Sequence, residues 1–190
     1  LEIYSTVTAM GQTTTGIVIL GTSLQSKNIR VDSCIFHDLT TGVIAGGSGV
    51  VRSSNVTVVD CTSYSCANNG MSTSFAESVQ YVRCNCYSNG LPSGAGYGID
   101  IESNVGESIS NVDVLNCTFT SNSVGGVGVV SGNISNVRID GCSLFSNPIG
   151  INVNGASLSP TTSLLVVGNI TSGSVTRGIS VSNAQFVVIE

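Results

Sequence analysis

Apolar and polar residues alternate at period two through short runs, each closed by Gly, Asn, Asp or Ser. That alternation puts successive side chains on opposite faces of a β-strand. No stretch keeps the 3.6-residue period long enough to predict a helix. Two phrases recur. The first starts at a small polar residue and alternates apolar positions up to a cysteine: Asn28–Cys34, Asn55–Cys61, Gln80–Cys86, Asn111–Cys117 and Asn136–Cys142, with Ser163–Asn169 as a last copy. The second opens at a glycine followed by apolar-x-apolar, at Gly16, Gly42, Gly70, Gly98, Gly126, Gly150 and Gly178, and is weakest at Met71-Ser72-Thr73. Spacings of this size, between 20 and 50 residues, signal a solenoid.

Each repeat supplies about three short strands. In the fourth repeat these are Gly98–Glu102, Val112–Leu115 and Cys117–Phe119, with Asn116 turning the corner between the last two. Asp60 and Asn85 take the same corner in the preceding repeats, since Asx residues tolerate the left-handed conformation and bond their own backbone. Like positions in successive coils then stack about 4.8 Å apart. The expected fold is all-β: one parallel β-helix domain over residues 1–190, of about seven coils and three parallel sheets.

Composition narrows the partners. Charged residues are 9% of the chain and hydrophobic ones 41%, so the polar surface is Ser, Thr, Asn and Gly. Such a surface suits neutral polar ligands such as sugars. Six basic against eleven acidic residues argue against nucleic acid and against an anionic membrane. No apolar run reaches the 18 or more residues that span a bilayer, and residues 1–20 lack the basic start and apolar core of a secretory leader. Seven cysteines cannot all pair internally. Cys34, Cys61, Cys86, Cys117 and Cys142 read as a stacked ladder of buried thiols with Cys84 facing outward. Stacked parallel side chains do not favour the near-90° disulfide torsion, so free thiols are expected. The Cys84-x-Cys86 spacing has no second pair with which to hold zinc.

The chemistry concentrates at Gly98-Ile99-Asp100-Ile101-Glu102. Ile99 and Ile101 point inward, while Asp100 and Glu102 share the outward face about 6.6–7 Å apart. The next coil places Gly128 and Val130 beside them, leaving room above the acids, and the one after that places Asn152 and Asn154. The preceding coil offers Ser72 and Ser74. Loops at Asn89–Tyr97 and Ser103–Ser110 flank the strand and add Tyr97 and Glu107 to the candidate contacts. This row reads either as a four-coil polar groove for an extended glycan or as the Ser/Asn exterior that any β-helix carries. No basic residue stands on it. His37, in Phe36-His37-Asp38, reads as a solvated turn histidine or as an acid/base group at a cleft edge, two coils from Asp100. Arg138 and Asp140 read as a surface pair on another sheet.

The phrase Asn111–Phe119, together with the Gly-Ile-x-Ile strand at Gly98, resembles the right-handed parallel β-helix of the pectate-lyase-like superfamily, over residues 3–190. Handedness follows from that resemblance. The superfamily includes polysaccharide lyases, polygalacturonase-type hydrolases, uronan epimerases and phage tailspike depolymerases, several with acids on the strand matched here. The resemblance implies a polysaccharide partner, an extracellular, secreted or virion-surface location, and Asp100 and Glu102 as an acid/base pair. Inverting hydrolases separate such carboxyls by about 6.5–9.5 Å. A lyase of this fold would pair calcium-binding acids with a basic residue, so a hydrolase fits better. No cofactor is required, although the two acids allow weak Ca²⁺ binding. The alternative is a non-catalytic tail-fibre shaft or surface adhesin that binds glycans. Because neither terminus carries an evident cap, the chain is expected to be part of a longer protein, with flanking domains or a homotrimer covering the sheet ends.

Overall fold

The computed structural model describes residues 1–4, 14–47, 51–90, 96–104, 106–155, 161–174 and 176–190. The chain winds through three parallel sheets, each of seven strands, and every strand between the sheet ends pairs with its equivalents one coil before and one coil after. Each described coil runs through a glycine-led sheet (Tyr97–Glu102 in the fourth repeat), a longer kinked sheet (Ser108–Leu115) and a short sheet of three-residue strands (Thr118–Thr120).

The corners explain the composition. Among the described residues, positive φ falls on Asn, Asp or Ser at every non-glycine position except Arg83 and Phe186. Asn and Asp bear the left-handed conformation at low cost for residues with a Cβ, and Ser, like them, can bond its own backbone in a turn. One such residue kinks each long strand (Asn28, Asn55, Ser78, Asn111, Asn136, Ser163, Phe186), and another turns the corner into the short sheet (Ser33, Asp60, Arg83, Asn116). The recurring glycines have a different cause. A Cβ on Gly98 would lie 2.4 Å from the Phe119 ring and 2.8 Å from the Gly126 carbonyl, so only glycine lets consecutive coils meet there.

The core is a set of aliphatic ladders, such as Met71–Ile99–Val127–Ile151 and Val56–Val79–Val112–Val137, all buried. Two positions differ from the sequence reading. Val79 and not Tyr81 pairs with Val112, so the third copy of the phrase runs Ser78–Cys84 and Cys84 takes the ladder position. The Cys84 N–H donates to Cys117 Sγ at 3.3 Å, as the Cys34 N–H does to Cys61 Sγ at 3.4 Å. Cys86 is buried as well, but one sheet further on, in register with Phe119. Cys84-x-Cys86 offers two cysteines at the same parity, and alternation cannot choose between them; the Val79–Val112 pairing does. The same shift moves Asn85 out of the corner and into a short strand, leaving Arg83 at φ 51°. Its guanidinium grips Asp60 through two bonds of 2.7 Å, which offsets that strain. All seven cysteines are free, as expected, and all are buried, Cys84 included, which corrects its expected outward placement.

Asn89 is a second departure. It does not belong to a projecting loop but is fully buried at the head of an asparagine ladder. Asn89 Nδ2 donates to Asn122 Oδ1 at 2.9 Å, and Asn122 Nδ2 donates to Asn147 Oδ1 at 3.1 Å. Residues 91–95 of the expected Asn89–Tyr97 loop and residue 105 of the second excursion lie outside the described residues.

Candidate functional site

Ile99 and Ile101 are fully buried, and Asp100 lies in register with Ser72 before it and Gly128 after it. Asn152 and Asn154 follow beside Gly128 and Val130, as the alternation predicts. Glu102 is exposed, but Asp100, although on the outward face, is only 7% exposed. Two side chains explain this: Asn69, which the sequence reading did not single out, and Tyr97, which it placed among the candidate contacts.

The first is Asn69. It occupies the position just before the coil glycine, equivalent to Tyr97 one coil later, and is itself buried. Its Nδ2 donates to Asp100 Oδ2 at 2.8 Å and to Ser72 Oγ at 3.3 Å, while its Oδ1 accepts from the Tyr97 N–H at 2.9 Å. One amide thus fixes the acid, its neighbouring serine and the start of the next strand. The second is Tyr97. A Cβ on Gly128 would meet three Tyr97 ring atoms at 2.8–2.9 Å, and one on Gly125 would meet two more at 2.9–3.0 Å. The ring therefore lies flat over two glycines, with its other face turned away from the sheet. The room above the acids that Gly128 promises is filled by this ring. The Tyr97 hydroxyl accepts from Asn152 Nδ2 at 2.7 Å, so the side chain reaches across two coils. Burial holds the phenol above its ordinary pKa, with the Asn152 bond acting against it.

Asp100 Oδ1 has no hydrogen-bond partner and is buried. Loss of solvent, first, and the charge of Glu102, second, push the Asp100 pKa from 3.8 up to about 7, against the Asn69 bond. An unpaired buried carboxylate oxygen is costly, and protonation relieves the cost.

Other expected contacts fall elsewhere. Strand pairing stops at Ile101–Thr73, and Ser74 Oγ lies against Gly46 of the preceding coil, not beside Glu102. Glu107 accepts from Asn104 Nδ2 at 2.8 Å within its own turn. Asn154 Oδ1 accepts from Ser182 Oγ at 2.9 Å. A cation does reach this face: Arg177 Nη1 donates to Ser180 Oγ at 3.0 Å, and Ser180 pairs with Asn152. That is three coils from Asp100, about 14 Å along the axis. His37 ends a strand of the short sheet and is not a turn residue; it stacks on Tyr64, which stacks on Tyr87. Its Nδ1 lies 2.8 Å from Asp38 Oδ2. It stands on a different sheet from Asp100, so it is not part of the acid site. Arg138 and Asp140 form the expected exposed pair. Among the described residues no group of three or more His, Cys, Asp or Glu converges as a metal site, and no helix is long and apolar enough to cross a membrane.

The shape agrees with known proteins. The mannuronan C-5 epimerase AlgE4 A-module of Azotobacter vinelandii superposes with a TM-score of 0.66 at 11% identity, over 93% of this chain and 54% of that one. A capsular polysaccharide depolymerase, the tailspike protein gp49 of Acinetobacter baumannii bacteriophage Fri1, gives 0.44 at 11% identity, over 92% and 40%. The catalytic unit of an α-1,3-glucanase from Streptomyces thermodiastaticus gives 0.43 at 11% identity, over 92% and 48%. The chain spans about half the length of these structures. At such identities the likeness concerns the fold. No curated protein matches the chain in sequence. The family described as right handed beta helix region matches residues 2–144, three-quarters of the sequence, and the chain belongs to that family.

Proposed function

We propose that the Tyr97–Glu102 strand and its neighbours process an extended polysaccharide outside the cell or on a virion surface. Asp100 donates a proton to the departing glycosidic oxygen, and the exposed Glu102 takes a proton from the attacking water. The observation that carries this reading is Asp100 itself: a buried carboxyl with one oxygen unpartnered and a pKa pushed up to about 7. A structural carboxylate would have its oxygens bonded, whereas a proton donor needs a protonated carboxyl near neutral pH. The flat Tyr97 ring supports the reading, because an aromatic face lying parallel to a sheet suits the apolar face of a pyranose. The fold likeness to a mannuronan epimerase, by analogy, also favours a polymeric sugar. Elimination fits less well, since the cation at Arg177 stands three coils away.

One observation favours a non-catalytic, glycan-binding shaft: Asp100 is 7% exposed beneath its neighbours, so a substrate must displace a covering side chain to reach it. A depolymerisation screen over capsular, teichoic and uronan polymers separates the readings. New reducing ends without the ultraviolet absorbance of unsaturated uronates, lost in Asp100→Asn and Glu102→Gln, support hydrolysis at this pair. Absorbance would replace hydrolysis with elimination. Silence across the panel with glycan binding retained would support the shaft.

A further inference from the structure

The outer face of the kinked sheet carries a second polar row, on a different sheet from Asp100. The residues that kink the strands stack in register: Asn28, Asn55, Ser78, Asn111, Asn136. Asn55 Nδ2 donates to Asn28 Oδ1 at 3.1 Å, and Asn136 Nδ2 donates to Asn111 Oδ1 at 3.0 Å. Both bonds run the same way, from the amide nitrogen of one coil to the amide oxygen of the coil before it. Ser78 breaks the row, and no side-chain hydrogen bond joins it to Asn55 or Asn111 among the described residues.

The break has a defined polarity. Asn55 has turned its N–H toward Asn28, so the planar amide aims its carbonyl oxygen at the gap. Asn111 accepts from Asn136, so its amide aims N–H at the gap from the other side. The gap is a groove of about 310 Å³, lined by Asn55, Thr57, Ser78, Gln80, Asn111 and Asp113. An acceptor thus faces a donor across two coil steps. One missing amide with its two hydrogen bonds fills roughly 8 Å, whereas a single hydroxyl making two bonds spans less than about 6 Å. Ser163 also interrupts the row, but its far neighbour is Phe186, which offers no donor, so only the Ser78 gap is bipolar.

We propose that this notch binds the acetamido group of an N-acetylated sugar. A trans secondary amide points N–H and C=O in opposite directions, matching Asn55 Oδ1 on one side and Asn111 Nδ2 on the other. Thr57 and the Gln80–Asp113 pair, joined at 3.1 Å, line the flank with groups that bond sugar hydroxyls. The groove has no apolar wall for a peptide side chain and no cation for an anionic group. The site does not rest on the acid pair and stands or falls separately from it.

The test is a titration of the ¹⁵N-labelled 190-residue chain with chitotriose and, as the matched sugar lacking acetamido groups, cellotriose. Expected are saturable shifts of the Asn111 side-chain NH₂ with chitotriose, and at least tenfold weaker binding of cellotriose. Ser78→Asn restores the missing rung and abolishes binding. The position has φ 57°, which asparagine adopts more readily than serine, so that variant folds. Ser78→Gly keeps the notch open and retains binding. Equal shifts with both sugars, undiminished binding in Ser78→Asn, or no shift at Asn111 would overturn the proposal.

Discussion

Asn122 and Asp100 are both buried polar groups, and their surroundings differ. Asn122 sits inside the helix with every side-chain atom engaged. Its Oδ1 accepts from the Asn89 N–H and Nδ2, and its Nδ2 donates to the Cys86 carbonyl and to Asn147. Asp100 sits on the outer face, almost as deeply buried, with one oxygen bonded to Asn69 and the other to nothing. The amide ladder closes a fold, because each rung satisfies the next. The acid leaves a donor or acceptor capacity open at a cost that only protonation relieves. A buried polar group that is fully partnered speaks for structure, and one that is not speaks for chemistry.

Breaking the ladder gives the largest expected effect. Asn122→Leu strands the Asn89 donors and the Cys86 carbonyl, and should cost about 3–5 kcal/mol in a chemical-denaturation experiment. Asp100→Asn has the opposite sign and depends on pH. The raised pKa means that the folded state holds its proton more tightly than the unfolded one, so this contribution is fully present below about pH 4 and is lost as pH rises toward 7. Asp100→Asn should therefore match the parent protein at pH 4 and exceed its stability at pH 8 by up to about 4 kcal/mol. A pH-independent difference would show that the unpaired oxygen does not govern protonation. The proposed proton transfer from Asp100 predicts that turnover falls above pH 7 as Asp100 ionises. Tyr97→Phe removes only the Asn152 bond, and should cost about 1 kcal/mol while leaving the aromatic platform in place. Tyr97→Ala should in addition weaken glycan binding. The smallest effect is a null result: a water-soluble thiol reagent should label none of the seven buried cysteines in the native protein and all of them in denaturant. Rapid native labelling at Cys84 would return that residue to the outer face.

Much of the scaffold was legible because its physics is local and repeated. Ile99 and Ile101 could be placed inside and Glu102 outside from alternation alone, and the glycine register survived intact because a Cβ there would strike the next coil. The errors came where two choices were locally equal. Cys84 and Cys86 have the same parity, and only the pairing of Val79 with Val112 decides which one joins the ladder. Asn89 looks like any loop asparagine until Asn122 is stacked on it. Asn69, a central residue of the candidate site, stands in an Asn-Asn-Gly turn whose only sequence signal is its place before a coil glycine.

A parallel β-helix, its three sheets, its free thiols and the strand that bears Asp100 and Glu102 can all be read from the chain's own pattern. Each of these follows from side-chain parity, turn chemistry and steric exclusion within a single repeat. The tertiary structure alone decided that Asp100 is buried, that Tyr97 covers Gly128 and that the Asn28–Asn136 row has a gap at Ser78. Those depend on which residue of one coil comes to lie above which residue of another, 25 to 55 positions away in the chain, and on how much water remains between them.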